Sequence, residues 1–207
     1  MASNKNGLRN TILNIASKTG NLILVSSIIE NDCNDECRCD IEAKNNNGNT
    51  PHINALLKSH LEVVKYLISV GVNKESRSKY GNTPLILASK KGHTEVVKYL
   101  ISAGVDKEAM NYDGKTALIW VTEMGHLEVV RNLISAGTNK EATSKNGNSI
   151  LALASRNGHL DVEIFLISAG VDKEAKNKHG DTALICASQN GHLEVVEYLN
   201  SVGLFKE

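Results

Sequence analysis

The chain has 207 residues, 41% of them apolar, with 23 Lys and Arg against 23 Asp and Glu. A net charge of zero leaves no bulk basic signature for nucleic acid or an anionic membrane surface. No apolar run approaches the ~18 residues of a membrane span; the strongest, Leu22–Ile29, is interrupted by Ser26 and Ser27. The N-terminus carries no apolar signal core, and no Asn-x-Ser/Thr sequon occurs. The expected setting is intracellular, cytoplasmic and reducing.

In chain order, residues 1–9 are a polar lead. A weak repeat unit follows at Thr11–Glu30, reading TILNIASKTGNLILVSSIIE. Asn31–Asp40 then carries Cys33, Cys37 and Cys39 in an insertion, because Thr11 and Thr50 are 39 residues apart, six more than the later period. The C-x3-C-x-C spacing is not a standard zinc pair, and no histidine is nearby. A polar hairpin extension is the leading reading, with a zinc site or a redox pair as alternatives. From there Gly48, Gly81, Gly114, Gly147 and Gly180 recur every 33 residues. A unit of this length cannot bury its apolar face alone, so the units must stack. Units at about 10–47, 48–80, 81–113, 114–146, 147–179 and 180–207 are expected to form one elongated domain over 10–207.

Each unit predicts two short helices. In the unit opened by Gly81, Thr83 can cap the first helix and Pro84 suits its first turn. Leu85, Leu87 and Ala88 are expected against neighbouring helices. Val96, Val97, Leu100 and Ile101 make one apolar stripe at helical spacing. Glu95 and Lys98 lie opposite as an i,i+3 pair, echoed by Glu62/Lys65 and Glu128/Arg131. Fifteen of the sixteen glycines fall in three repeat positions, including Gly158 before a second helix and Gly203 after one. Turns and helix ends of this kind need positive φ.

The run Thr83-Pro84-Leu85-Ile86-Leu87-Ala88, followed by Gly92-His93, resembles the ankyrin-repeat signature: T-P-L-H-x-A, then G-H before a hydrophobic helix. The resemblance covers about residues 10–207, with five strong copies in phase. One departure is regular. Ile53, Ile86, Ile119, Ala152 and Ile185 replace the signature histidine, losing a side-chain hydrogen bond and gaining apolar area. The resemblance implies an all-α fold, an ankyrin-repeat solenoid of stacked antiparallel helix pairs with hairpins projecting to one side. It implies no cofactor and a non-enzymatic role in binding another protein.

Catalytic and metal readings are weaker. His60, His93, His126, His159 and His192 share one repeat position. Neighbouring units stack at about 8–10 Å, too far for adjacent rungs to share an ion with ~2 Å zinc–nitrogen bonds. A turn histidine bonded to backbone is the expected state; His52 and His179 are isolated. Cys186 reads as a small apolar filler on a first helix. No phosphate loop, zinc-protease motif or nucleophile elbow occurs. The recurrent carboxylates read as solvated faces. The dipeptides Lys74-Glu75, Lys107-Glu108, Lys140-Glu141 and Lys173-Glu174 read as structural or solubilising.

Hairpin tips and exposed first-helix faces are where the resemblance places partners. In the third unit the candidates are Lys79, Tyr80, Asn82, Lys90 and Lys91. The fourth contributes Tyr112, Asp113, Lys115, Glu123 and Met124. The fifth adds Lys145, Asn146, Asn148, Arg156 and Asn157. The sixth adds His179, Asp181, Gln189 and Asn190, beside Lys178. These positions vary between units while the frame does not, so the fold does not dictate them. Basic residues outnumber acids along the strip, which points to a protein partner with an acidic patch; the neutral overall balance and the lack of a basic helix argue against nucleic acid, and a monomer without membrane insertion is expected.

Three irregularities remain. Asn54 stands at an apolar first-helix position and Ser59 at the turn glycine. A buried unpaired amide (~1–3 kcal/mol) and a left-handed non-glycine residue (~1–2 kcal/mol) make the second unit the expected weak seam. Trp120 and Val121 are bulky where Leu and Ala recur, widening the packing or offering an indole anchor. Asn200 replaces a recurrent Ile and Leu204-Phe205 follow, so the end reads as a cap or as a sticky face for self-assembly. A regulatory arm of a larger enzyme or channel is a further alternative.

Overall fold

The structure, a computed structural model, describes residues 2–31 and 40–203, and of residues 2–6, 8 and 9 the backbone alone. Cys33, Cys37 and Cys39, and Leu204 and Phe205, lie outside the described residues. The chain divides after Asp106 into two compact halves. The first holds α1 (Ala2–Thr19), α2 (Leu22–Asn31), α3 (Pro51–Leu57), α4 (Leu61–Ser69), α5 (Pro84–Lys90) and α6 (Thr94–Ser102). The second holds α7 (Ala117–Met124), α8 (Leu127–Ser135), α9 (Ile150–Asn157), α10 (Leu160–Ser168), α11 (Ala183–Gln189) and α12 (Leu193–Gly203). The polar start of the chain belongs to α1. Among the described residues, the one β feature is the antiparallel bridge Thr143–Ser149 at a hairpin.

The architecture is an all-α repeat. In the first half α1, α3 and α5 pack in sequence, as do α2, α4 and α6; in the second half α7, α9 and α11 pack in sequence, as do α8, α10 and α12. Local chemistry sets the first helices. Thr50, Thr83, Thr116 and Ser149 each take extended backbone and accept a hydrogen bond from the amide three residues on, which satisfies one orphan donor of the helix start. Thr182 makes no such bond. The second helices bury their stripes: Val63, Val64 and Leu67, then Val96, Val97 and Leu100, then Val129, Val130 and Leu133.

Two polar devices tie one unit to the next, and a third fixes the hairpins. Histidine is the first. The Nε2–H of His60, His159 and His192 donates to the carbonyl of Lys18, Glu123 and Arg156 at 3.0, 2.9 and 3.0 Å. The ring lies over the preceding unit's turn glycine so closely that a Cβ on Gly158 would stand 2.5 Å from His192 Nδ1. That glycine also has φ of +71°. Ser59 fills the position in the second unit with φ of +60°. The bond above it, His93 Nε2 to Leu57 O, lengthens to 3.3 Å.

The Lys-Glu dipeptide is the second device, and it corrects the solvated reading of the recurrent carboxylates. Glu42, Glu75 and Glu108 accept the backbone N–H of Asn73, Asp106 and Asn139 in the following unit, at 2.7, 2.8 and 2.8 Å. Lys74, Lys107, Lys140 and Lys173 donate to the carbonyls of Ala103, Ala136, Ala169 and Val202, where second helices end. An ammonium there neutralises the negative end of the helix dipole. The third device is the hairpin polar residue. Asn111 Oδ1 accepts from the amides of Asp113 and Lys115, and Asn177 Oδ1 from those of His179 and Asp181. By contrast, Glu62–Lys65, Glu95–Lys98 and Glu128–Arg131 pair on exposed faces, where such pairs contribute little.

Two expectations are corrected, one inside the core and one at the end of α12. Asn54 is not an orphan: its Nδ2 donates to Asn14 Oδ1 at 2.8 Å, and its Oδ1 accepts from Asn49 Nδ2 at 3.5 Å. Gly203 is the last residue of α12 and has no positive φ.

Candidate functional site

The predicted strip separates into residues that present a surface and residues that serve the frame. In the first half, Lys79, Tyr80 and Lys91 are exposed. Lys79 Nζ sits 4.8 Å from the Tyr80 ring centroid. Lys90 is half-buried, and Asn82 is buried with 6% of its surface exposed. Its backbone N–H donates to Ser78 Oγ. Asn82 therefore builds the hairpin rather than offering a contact, which corrects its place on the strip.

In the second half Tyr112, Asp113 and Met124 are exposed. Lys115 and Glu123 are engaged with each other, at 2.6 Å between Nζ and Oε2. The same ammonium lies 4.3 Å from the Trp120 ring centroid, within reach of a cation–π attraction. Trp120 is half-buried and Val121 fully buried, so the bulk at this rung is absorbed partly as packing and partly under Lys115. Lys145 donates to the carbonyl of Tyr112 at 3.0 Å, one hairpin tip to the next. Asn157 Nδ2 donates back to Leu153 O at 2.7 Å, which ends α9.

Seven of the predicted residues meet at one place: Asn146, Asn148, Arg156, His179, Asp181, Gln189 and Asn190 line a concavity of about 480 Å³ beside α9 and α11. Its hairpin wall is fixed by polar bonds. Asn177 Nδ2 donates to Asn148 Oδ1 at 2.8 Å and to Asp181 Oδ2 at 3.3 Å. Asn148 is buried, so it orients the wall and does not stand proud of it. On the helical side Arg156 is exposed and its guanidinium has no ion pair among the described residues. Asn190 Nδ2 donates to Cys186 O at 2.8 Å, closing the end of α11.

Asn177 and Cys186 were not foreseen as lining. Cys186 is buried and free, and it sits on the floor of the concavity as well as in the packing. Burial, with the Asp181 charge, pushes its thiol pKa up, so it stays protonated and is a poor nucleophile. The sequence did carry a signal for such positions. Asn54, Leu87, Trp120, Leu153 and Cys186 share one repeat position and differ from unit to unit, as do Lys44, Arg77, Met110, Thr143 and Lys176.

One buried carboxyl also escaped notice. Glu163 on α10 is fully buried at a position where Val64, Val97, Val130 and Val196 recur. Burial raises its pKa to about 8. Ser155 Oγ lies 2.8 Å from Glu163 Oε1 and 2.9 Å from Leu151 O. One hydroxyl hydrogen cannot serve two acceptors, so a protonated carboxyl completes the set.

Among the described residues no helix is long and apolar enough to cross a membrane. The chain matches a family model described as "Ankyrin repeats (3 copies)" over residues 2–78, 70–144 and 132–205. No curated protein matches it significantly.

Proposed function

The chain belongs to the ankyrin-repeat family, and from that premise we propose that it is a non-enzymatic protein-interaction module. Its concavity beside α9 and α11 takes a segment of a protein partner. The observation that carries this is the Arg156 guanidinium, exposed and without an ion pair among the described residues, in a polar concavity whose helical lining changes from unit to unit. The repeated histidines His60, His93, His159 and His192, the dipeptide lysines, and Glu42, Glu75 and Glu108 are spent on the frame. The residues that vary between units are left to be read by a partner. An unpaired guanidinium favours a carboxylate, which it can hold through two parallel hydrogen bonds. The partner segment is therefore acidic. Tyr112 and Met124, both exposed, add apolar contact of the type enriched at interfaces. A pre-formed concavity limits the ordering cost of binding. The protein acts as a monomer, without nucleic acid or membrane.

A photo-crosslinking amino acid at Gln189, with Glu128 on the exposed face of α8 as the control site, tests this. One protein should be captured from position 189 and not from 128, and Arg156→Glu should abolish the capture. Equal capture from both sites, or capture indifferent to Arg156→Glu, would sink the assignment.

A further inference from the structure

A second concavity, of about 460 Å³, opens in the first half between α1 and the hairpin that follows the insertion. None of the residues lining it belongs to the predicted strip. Its floor is made by Asn14 and Asn54, 6% and 5% exposed. Both stand where the repeat uses apolar side chains. Asn14 occupies the position of Ile53, Ile86 and Ile119. Asn54 occupies that of Leu87 and Leu153.

The two substitutions are mutually satisfied. Asn14 Nδ2 donates to the carbonyls of Asn10 and Ala43 at 3.1 and 3.0 Å, and Asn14 Oδ1 accepts from Asn54 Nδ2. That accounts for every donor of Asn14. Asn54 Nδ2 keeps a second hydrogen, which has no acceptor among these bonds. Above this floor stand Lys18 and Lys44, exposed and without an ion pair among the described residues. Asn46 and Asn47 stand at the hairpin tip, and among the described residues no carboxylate lines the space. Ile15, 56% exposed, forms an apolar edge.

We propose that this concavity is a binding site for an acidic side chain of an extended peptide segment, with an apolar neighbour of that residue covering Ile15. Two ammonium groups and a spare amide hydrogen, over a floor of two asparagines, select a carboxylate over an amide of the same shape. Packing alone would not place two asparagines in the core, because the apolar pair used elsewhere in the repeat needs no partner. The site lies in the other half of the chain from the Arg156 concavity and does not depend on that reading.

The test uses the full chain and the capped peptide acetyl-Leu-Glu-Leu-Gly-amide, with its Glu-to-Gln counterpart and sodium acetate as controls. The side-chain amide NMR signals of Asn46, Asn47 and Asn54 are followed. The Glu peptide should shift them saturably, the Gln peptide at least tenfold more weakly, and K18Q/K44Q should remove the difference while leaving the remaining spectrum in place. N14I/N54L, which restores the apolar pair, should fold with a higher urea midpoint and lose the Glu preference. Equal shifts with both peptides, no shift at millimolar peptide, or a response to acetate equal to that of the Glu peptide would overturn the proposal. So would a lower urea midpoint for N14I/N54L, since the asparagines would then be serving the fold.

Discussion

Replacing Glu163 with valine should stabilise the second half of the chain and flatten its pH dependence. The buried carboxyl has a pKa of about 8 against an ordinary value of 4.5. Below pH 4.5 both the folded and the unfolded chain hold the proton, so the group costs nothing through ionisation. Between 4.5 and 8 the unfolded chain has released the proton and the folded chain keeps it. Stability then falls as pH rises, by about 1.4 kcal/mol per pH unit. At pH 7 the accumulated loss is about 3 kcal/mol, and above pH 8 it levels near 5 kcal/mol. Valine removes this dependence and matches Val64, Val97, Val130 and Val196. Ser155 keeps its bond to Leu151 O at 2.9 Å, so no donor is orphaned. The assay is urea unfolding from pH 5 to 8.5, followed by Trp120, the single tryptophan of the chain, which lies in the same half. The wild-type midpoint should fall across this range while that of Glu163→Val stays level and higher. Parallel midpoints for the two proteins would refute the argument, because they would mean that Glu163 ionises in place.

Three further substitutions probe other parts of the frame. His52 is fully buried with neither ring nitrogen hydrogen-bonded, and burial lowers its pKa from 6.5 to about 4. Its contribution is lost as pH falls from 6.5 to 4, by about 3 kcal/mol in all, so His52→Leu should slow hydrogen exchange across α3 at pH 5 more than at pH 7. Ser59→Gly relieves a left-handed serine worth about 1–2 kcal/mol and should slow exchange at the start of α4; unchanged exchange would show that the strain is absorbed elsewhere. Gly158→Ala combines the same backbone cost with a Cβ driven against the His192 ring, and should cost about 2–4 kcal/mol in urea unfolding read by Trp120.

The helix pairs and their boundaries were legible because the signals are local. Thr83 caps, Pro84 opens, and the glycines mark turns at fixed spacing, all within one unit. The partners of the frame's histidines, lysines and glutamates were not legible, because each lies about one repeat away. Glu75 looks like a surface acid until the amide of Asp106 is brought to it. Asn54 looks like a defect until α1 supplies Asn14. Glu163 was readable by alignment of the units alone, since it interrupts a column of valines, but its neutral state follows only from full burial. Within the candidate site, variability between units found seven of the residues around the Arg156 concavity. It could not tell that Asn148 is buried, because a hairpin polar residue and a contact residue have the same composition.

The buried polar groups also differ among themselves, and the difference bears on function. His52, Glu163 and the Asn14–Asn54 pair all occupy positions that other units fill with apolar side chains. A polar group costs free energy on burial unless its bonds are made inside. His52 makes no side-chain bond. Glu163 leaves one oxygen unpaired. Neither lines either of the two concavities described above. They are expected to act on stability alone, and apolar replacement should cost no binding. Asn14 and Asn54 are the exception in both respects: their bonds are almost complete, and they floor a concavity that carries two unpaired ammonium groups. If polar residues entered this array merely by drift, the satisfied pair would have no reason to coincide with a floor that faces a cationic opening. Apolar replacement should therefore separate the two kinds of site, raising stability at all of them and removing ligand recognition only at Asn14 and Asn54.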